Sequence, residues 1–567
     1  MRLAALATDY DGTLADEGIV RPETIEVMRR FRRSGRRIIL VTGRTLNDLL
    51  QVFPDLTEFD RVVAENGATL YDPISCTEEV LAEAPPRSFL ERLEELKTLP
   101  LEAGRVIVAT VESQRDKVLD AIQALGLELQ IIFNKGSVMI LPSGANKATG
   151  LEAAAQSLGL SRHSVAGIGD AENDHAFLSA CEFSAAVANA LPALKDRVHL
   201  VTRQRSGSGV IELMEEILRN DLSSHSAWLG QPIGVGQDGR AQDVNLRAAG
   251  VNLITGTSRG GKSTVTRAFL EGLGSANYQF CVLDAEGDYE TLEHAVVMGD
   301  AHHAPDPSEV VKALEKPARN VVANLVALEL DQKPGYFRKL LLGLDELRNR
   351  VGRPHCIAVD EAHHFFSGDG PPAAETKLEE KLAGATLISV NPERLPSKLL
   401  TRVQKLIAAG EHPYRTIEAF SSAIQIPPPR MDTVSLDTGQ MLAWQIGNLA
   451  PIAFSPSSPA SAQIRHRRKY AEGDLGADRS FYFRGPESKL NLRAHNLITF
   501  LHLMEGVDDE TWCFHLKQGD YSSWFRQQIK DDDLADEARA IEAGNSSPGE
   551  TRDRMHQLIT RRYTLPA

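Results

Sequence analysis

The stretch Leu3-Ala4-Ala5-Leu6-Ala7-Thr8-Asp9-Tyr10-Asp11-Gly12-Thr13 decides the fold class of the first part of this chain. Its apolar run reads as a buried strand. That strand delivers two carboxylates, two positions apart, to its C-terminal edge, where open α/β sheets place their ligands. A spacing of two points both side chains to one face, Gly12 lets the backbone turn sharply, and Thr13 supplies a hydroxyl to the loop. Such a pair suits phosphoryl transfer. One carboxylate attacks phosphorus and forms an aspartyl-phosphate, while the other gives a proton to the leaving oxygen and later takes one from water. Two close carboxylates also repel, so a hard cation is expected between them, and Mg²⁺ fits because it prefers oxygen ligands and bridges to phosphate.

Three later segments complete the same site. Ile38-Ile39-Leu40-Val41-Thr42-Gly43-Arg44 is a second buried strand ending in a hydroxyl. Pro142-Ser143-Gly144-Ala145-Asn146-Lys147 sets an ammonium ahead of a helix, and the strand Val165-Ala166-Gly167-Ile168-Gly169 runs into Asp170 and then Asp174. In this order, over about the first 220 residues, the four motifs resemble those of the haloacid dehalogenase superfamily, in the branch with a small α/β cap between the second and third motifs. The resemblance implies a Rossmann-like α/β domain with Asp9 as nucleophile, Asp11 as general acid and base, and Thr42 and Lys147 as phosphate ligands. It also implies Mg²⁺ held by Asp9, the Asp11 backbone carbonyl and Asp170, with Asp174 next. The second acid, Asp11, favours phosphate-ester hydrolysis; substrates in this branch are commonly phosphorylated sugars, polyols or small acids such as phosphoglycolate. The cap is expected between Asn66 and Lys147, at about residues 75–140, with strands over 105–110, 129–133 and 138–141 and an amphipathic helix over 113–125.

A second phosphate-handling signature opens a separate domain, expected over residues 226–450. The short strand Val251-Asn252-Leu253-Ile254-Thr255 leads into Gly256-Thr257-Ser258-Arg259-Gly260-Gly261-Lys262-Ser263-Thr264. This is the glycine-rich loop of P-loop nucleotidases, whose backbone N–H groups wrap a β-phosphate while Lys262 reaches the β/γ oxygens and Ser263 holds Mg²⁺. The strand Cys356-Ile357-Ala358-Val359 then ends in Asp360-Glu361, a Walker B edge in which Asp360 serves the Mg²⁺ shell and Glu361 polarises the attacking water. His363 and His364 follow. Adjacent positions are expected to point apart, which favours ordinary helix-start residues over a metal pair. With further strands at 280–284 and 385–390, the latter ending at Asn391, the order resembles the HerA–FtsK class of P-loop ATPases over roughly residues 226–425. The stretch before the loop is too short for the N-terminal barrel of many such motors, and the trans-acting arginine is unassigned, with Arg402 no more than a guess.

Residues 451–462 are rich in Pro and Ser and read as a linker to a small, mainly helical C-terminal module at 465–567. Its aromatics, around Phe481, Trp512, Tyr521 and Trp524, read as core ahead of a base-stacking platform, and the basic run at 465–469 as a solvated linker edge ahead of a phosphate contact. A balance of 62 Lys+Arg against 77 Asp+Glu speaks against broad nucleic-acid binding. Five scattered cysteines have neither zinc spacing nor a disulfide framework, Asp9 comes too soon for a signal-peptide apolar region, and no apolar run is long enough to cross a membrane, so a cytoplasmic protein is expected.

The chain therefore reads as a Mg²⁺-dependent phosphatase of small phosphorylated metabolites fused to an ATP-binding, ATP-hydrolysing domain, with a homo-oligomer possible by analogy alone. Two alternatives stand beside this reading. One is a nucleic-acid end-processing phosphatase/kinase or DNA-associated motor, and the other a nucleotide-switched scaffold with little turnover.

Overall fold

The computed structural model describes residues 2–134, 136–222, 231–236, 244–246, 250–257, 260–366, 381–390, 392–430, 436–437, 439–458, 475, 479–529, 531–544 and 546–563. The first unit contributes β1 (Ala5–Thr8), β2 (Arg37–Val41), β3 (Arg61–Ala64), β4 (Thr69–Asp72) and β5 (Thr77–Val80). Next come β6 (Glu102–Ala103), β7 (Val108–Val111), β8 (Leu129–Asn134) and β9 (Ser137–Pro142), then β10 (Val165–Gly169), β11 (Phe183–Ala186) and β12 (Leu200–Val201). Eight of these form one sheet in the order β12-β11-β10-β1-β2-β3-β4-β5.

β1 is buried along its whole length and lies parallel to both β10 and β2, with Thr8 opposite Ile168 on one side and Leu40 on the other. That register brings the residues just past three strand ends, Asp9, Thr42 and Asp170, to a single edge. It is also the point where the chain crosses from one side of β1 to the other, the crevice in which such sheets bind ligands.

β6 to β9 form a separate antiparallel sheet in the order β6-β7-β9-β8. Helices Arg87–Glu95 and Arg115–Leu125 pack on it through Phe89, Leu93, Val118 and Ala121. This inserted cap starts later than residue 75, because β4 and β5 pair as a hairpin, Thr69 opposite Val80, on the edge of the main sheet.

The second unit is built on a ten-stranded sheet. At its centre Lys405–Ala409, Asn252–Gly256, Ala385–Ser389, Cys356–Val359 and Phe280–Asp284 lie side by side and parallel. Here the sequence reading needs a correction. The Pro/Ser-rich stretch taken as a linker contains the strand Ile452–Pro456, which pairs with Met441–Gln445 and Gly234–Gly236. Its Ala453 and Phe454 are buried, and its prolines stand at the strand's ends, where a missing N–H costs no ladder bond. The C-terminal residues form a third unit with its own core of Phe481, Phe500, Trp512, Tyr521, Trp524 and Phe525, closed by helices including Leu497–Gly506 and Pro548–Tyr563. The aromatics are core, and the 465–469 basic run lies outside the described residues. Among the described residues no helix is long and apolar enough to cross a membrane.

The first two units are joined by a buried polar contact that no motif announces. His163, just before β10, stacks on Tyr278 with ring centroids 3.7 Å apart and places Nε2 2.8 Å from the Ala276 carbonyl oxygen. Glu182 gathers Arg2 Nη2 (2.7 Å), the Tyr278 hydroxyl (2.8 Å) and His163 Nδ1 (2.7 Å). Arg353 donates to the Gly159 carbonyl oxygen at 2.7 Å. Burial acts to raise the Glu182 pKa, but the bonds from its partners outweigh it and hold the carboxyl below its ordinary value. Glu182→Ala should destabilise the protein by about 3 kcal/mol, since it removes the carboxylate that the buried His163 and the partly buried Arg2 and Tyr278 share. The contribution is complete above the ordinary carboxylate pKa and is lost as pH falls through the lower folded-state value. Urea unfolding of wild type and variant should therefore diverge at neutral pH and converge in acid.

Candidate active site

Lys147 is the centre of the first site. It opens the helix Lys147–Ser157, whose start is fixed by the Asn146 side chain accepting from Ala148 and Thr149 N–H in a capping box. Its Nζ lies 2.6 Å from Asp9 Oδ1 and 2.5 Å from Asp174 Oδ1, and the ammonium is 2% exposed. Asp174 in turn accepts from the Asp170 and Ala171 N–H groups through Oδ2, at 2.8 and 2.9 Å. The close fit of that carboxylate requires Gly169, where a Cβ would stand 2.6 Å from Asp174 Oδ2. Burial, with Asp174 nearby, pushes the Asp9 carboxyl up to about 7 against the pull of Lys147. The same burial acts to lower the Lys147 ammonium, but Asp174 and Asp9 outweigh it and hold it above its ordinary value.

The structure thus brings Asp9, Lys147, Asp170 and Asp174 together, with Thr13 donating to Asp170 Oδ1 at 3.3 Å. Thr42 is buried at the adjacent strand end and accepts from the Arg44 N–H at 3.1 Å. Asp11 faces the same cavity, of about 750 Å³ including its open mouth, which Asp9, Asp48, Asp170, Ile107 and Met139 also line.

Two residues were given no role by the sequence reading. Arg44 holds Asp11 in a two-pronged pair, Nε to Oδ2 at 2.7 Å and Nη2 to Oδ1 at 2.8 Å, and reaches Asp48 at 2.6 Å. Its position inside the Thr-Gly-Arg motif was the available signal. Asn66, whose Oδ1 accepts from Asn173 at 3.3 Å, had none beyond its place at the start of the cap region.

The donor set suits Mg²⁺. Asp9, Asp170 and Asp174 are buried and offer carboxylate oxygens within 4.8 Å of one another. Both Asp174 oxygens are already engaged, by Lys147 and by two backbone N–H groups, and the Asp11 side chain is turned to Arg44. Asp9 and Asp170, with the Asp11 carbonyl, could then hold the ion, while Asp174 braces the ammonium against the loop.

In the second unit Gly256, Thr257, Gly260 and Gly261 connect a buried strand to the helix Lys262–Ser275, which begins with Lys262, Ser263 and Thr264. Ser258, Arg259 and Asn391 lie outside the described residues. Lys262 Nζ donates to the Gly256 and Thr257 carbonyl oxygens at 2.9 and 3.1 Å. Burial lowers its pKa, with Glu361 and Asp360 pulling the other way, and burial raises Asp360 well above the ordinary range. Glu361 takes a left-handed φ of 45°, after which Ala362–His364 makes one 3₁₀ turn. That turn overrides the expectation that the adjacent histidines point apart: the rings of His363 and His364 lie 4.1 Å from centroid to centroid. Arg402 follows the short helix Ser397–Leu400.

A mainly parallel sheet with acids at one edge, an ammonium between two of them and an inserted cap is an arrangement suited to phosphoryl transfer. The model for haloacid dehalogenase-like hydrolases matches residues 6–98 and 87–214, and through this first unit the chain belongs to that family. A phosphoglycolate phosphatase of Saccharolobus solfataricus is 30% identical over 226 residues, which cover 38% of this chain and 93% of the relative. A phosphoglycolate phosphatase of Methanothermobacter thermautotrophicus is 28% identical over 222 residues, covering 38% of this chain and 99% of the relative. A solved haloacid dehalogenase-like hydrolase from Bacteroides thetaiotaomicron aligns at 18% identity with a TM-score of 0.33, covering 38% of this chain and 98% of that one.

Replacing Lys147 by Met should leave Asp9 and Asp174 facing each other without a buried counter-charge and destabilise the protein by about 3–5 kcal/mol. Millimolar Mg²⁺ should recover more of the unfolding temperature in the variant than it adds to wild type. Equal Mg²⁺ shifts in both would exclude the shared cation site.

Proposed function

We propose that the first unit is a Mg²⁺-dependent phosphate-ester hydrolase that works through an aspartyl-phosphate on a small phosphorylated metabolite. The carrying observation is the buried ammonium of Lys147 bonded to Asp9, which lines one cavity together with Asp11. Mg²⁺, held by Asp9, the Asp11 carbonyl and Asp170, would neutralise charge building on the transferred phosphoryl group. Lys147 and the Thr42 hydroxyl bind phosphoryl oxygens, and Lys147 pulls the buried Asp9 toward its ionised form against the effect of burial. An Asp9 oxygen attacks phosphorus as the bond to the leaving oxygen breaks, and a proton from Asp11 goes to that oxygen. Asp11 then takes a proton from the water that cleaves the aspartyl-phosphate, which regenerates Asp9 and releases inorganic phosphate. Arg44 orients Asp11 at rest with both carboxyl oxygens accepting, so Asp11 must release at least one of these bonds and take up a proton from water before it acts as the acid. A short phosphorylated acid or a phosphosugar is the substrate class that the relatives' activity and the capped cavity favour.

The same proposal assigns ATP to the second unit. In support, the glycine-rich loop joins a buried strand to a helix whose first residue is the buried Lys262, and the Asp360 strand lies one strand away across Ala385–Ser389. Glu361 next to Asp360 favours hydrolysis of ATP over transfer to an acceptor hydroxyl.

Phosphate release from a panel of small esters with Mg²⁺ separates the two units. Asp9→Asn should lower it by more than about 1,000-fold and Asp11→Asn nearly as much, because both act in one reaction. Lys262→Ala should leave ester hydrolysis intact and abolish ATP hydrolysis. Ester hydrolysis that survives Asp9→Asn would exclude the nucleophile assignment.

A further inference from the structure

We infer that Glu65 is a positioning residue that locks the wall of the cap over the phosphate site and so limits the size of the leaving group, an inference that rests on the phosphatase reading above. Glu65 follows β3 on the core side of the pocket, is 1% exposed, and holds a left-handed φ of 49°, uncommon for a residue with a side chain. Its own N–H donates to the Arg44 carbonyl oxygen at 2.9 Å, and the next N–H, of Asn66, donates to that of Thr42 at 3.0 Å. The main chain at Glu65 is thereby fixed to the loop that carries the phosphate-facing Thr42 and the Asp11-orienting Arg44.

The carboxylate points the other way, into the cap. Oε1 accepts from the Arg105 N–H, and Oε2 from the Val106 and Ile107 N–H groups, each at 2.8 Å. Three main-chain donors on one buried carboxylate make a set of charge-assisted bonds, and none of the three can be given up to an apolar surrounding without cost. The turn fits closely around the carboxylate, for a Cβ on Gly104 would stand 2.5 Å from Oε1. This turn and its flanking strands also wall the catalytic cavity, to which they contribute Glu102, Gly104, Ile107 and Ala109 beside Asp9 and Asp11. One side chain therefore sets the distance between the loop that holds the phosphoryl group and the surface the leaving group meets. The cap is held in place from the core, and esters with short leaving groups are favoured over hexose phosphates.

The test compares kcat/KM for 2-phosphoglycolate and for glucose 6-phosphate in the full chain, as wild type, Glu65→Gln, Glu65→Ala and Gly104→Ala. Glu65→Gln keeps the shape but turns a donor toward one of the three N–H groups, whereas Gly104→Ala displaces the carboxylate from the cap side. The preference for the short ester should fall roughly tenfold in Glu65→Gln and Gly104→Ala and further in Glu65→Ala, a tenfold change being about 1.4 kcal/mol. The fall should come from the short ester losing more than the hexose phosphate. An unchanged ratio, or an equal loss for both esters as a merely structural role would give, overturns the inference while leaving the phosphatase reading intact. Hydrolysis of neither ester by wild type overturns both. Should Glu65→Ala fail to fold, the other two variants decide the matter by the same ratio.

Discussion

Everything in the first unit depends on one ammonium placed between two carboxylates in a buried space. Lys147 reaches Asp9 at the end of β1 and Asp174 beyond the end of β10, and it does so from a helix that belongs to neither strand. Burial penalises each of these charges alone, and only their mutual attraction makes the set tolerable. Each partner is therefore held by main-chain geometry: Asp174 by two N–H groups of its own loop, and Lys147 by a capped helix start. The chemistry assigned to Asp9 follows from the same arrangement, because a carboxylate that burial pushes toward the neutral form needs a fixed cation to act as a nucleophile.

The polar contacts that hold the larger pieces together follow the same rule at different scales. Glu65 joins cap to core by offering one carboxylate to three main-chain donors, and Glu182 joins the first unit to the second by gathering an arginine, a tyrosine and a histidine. In both cases a buried acid is satisfied from several sides, which fixes position more narrowly than apolar packing does. The Glu182 contact lies between the start of β10, whose far end carries Asp170, and the C-terminal end of the helix that Lys262 opens.

Much of the catalytic edge was legible because its residues sit in short runs whose local pattern is strong. Asp9, Thr42 and Asp170 each follow an apolar strand of four or five residues, and Lys147 directly follows an Asn cap. The role of Arg44 was harder to read, since its partner Asp11 is 33 positions away and nothing in either neighbourhood names the other. The strand Ile452–Pro456 was taken for a linker because its Pro and Ser content outweighs a short alternation that only pairing with Met441–Gln445 makes meaningful. The adjacent histidines failed the directional argument because a left-handed residue and a 3₁₀ turn replace the regular geometry on which it relies.

By itself the sequence determined the buried strands that carry the catalytic edge, where each of these ends, and which acids, hydroxyls and ammonium groups stand at those ends, because hydrophobic periodicity and turn residues are local properties of the chain. Only the tertiary structure decided which of those groups meet. Parallel pairing of β1 with β2 and β10 aligned three strand ends, and the helix from Lys147 returned an ammonium to them across more than a hundred residues. Glu65 and Glu182 became anchors only once distant backbone and side-chain donors were folded around them. A buried charge is specified by what surrounds it in space, and that surrounding is assembled from segments whose separation along the chain carries no mark of their contact.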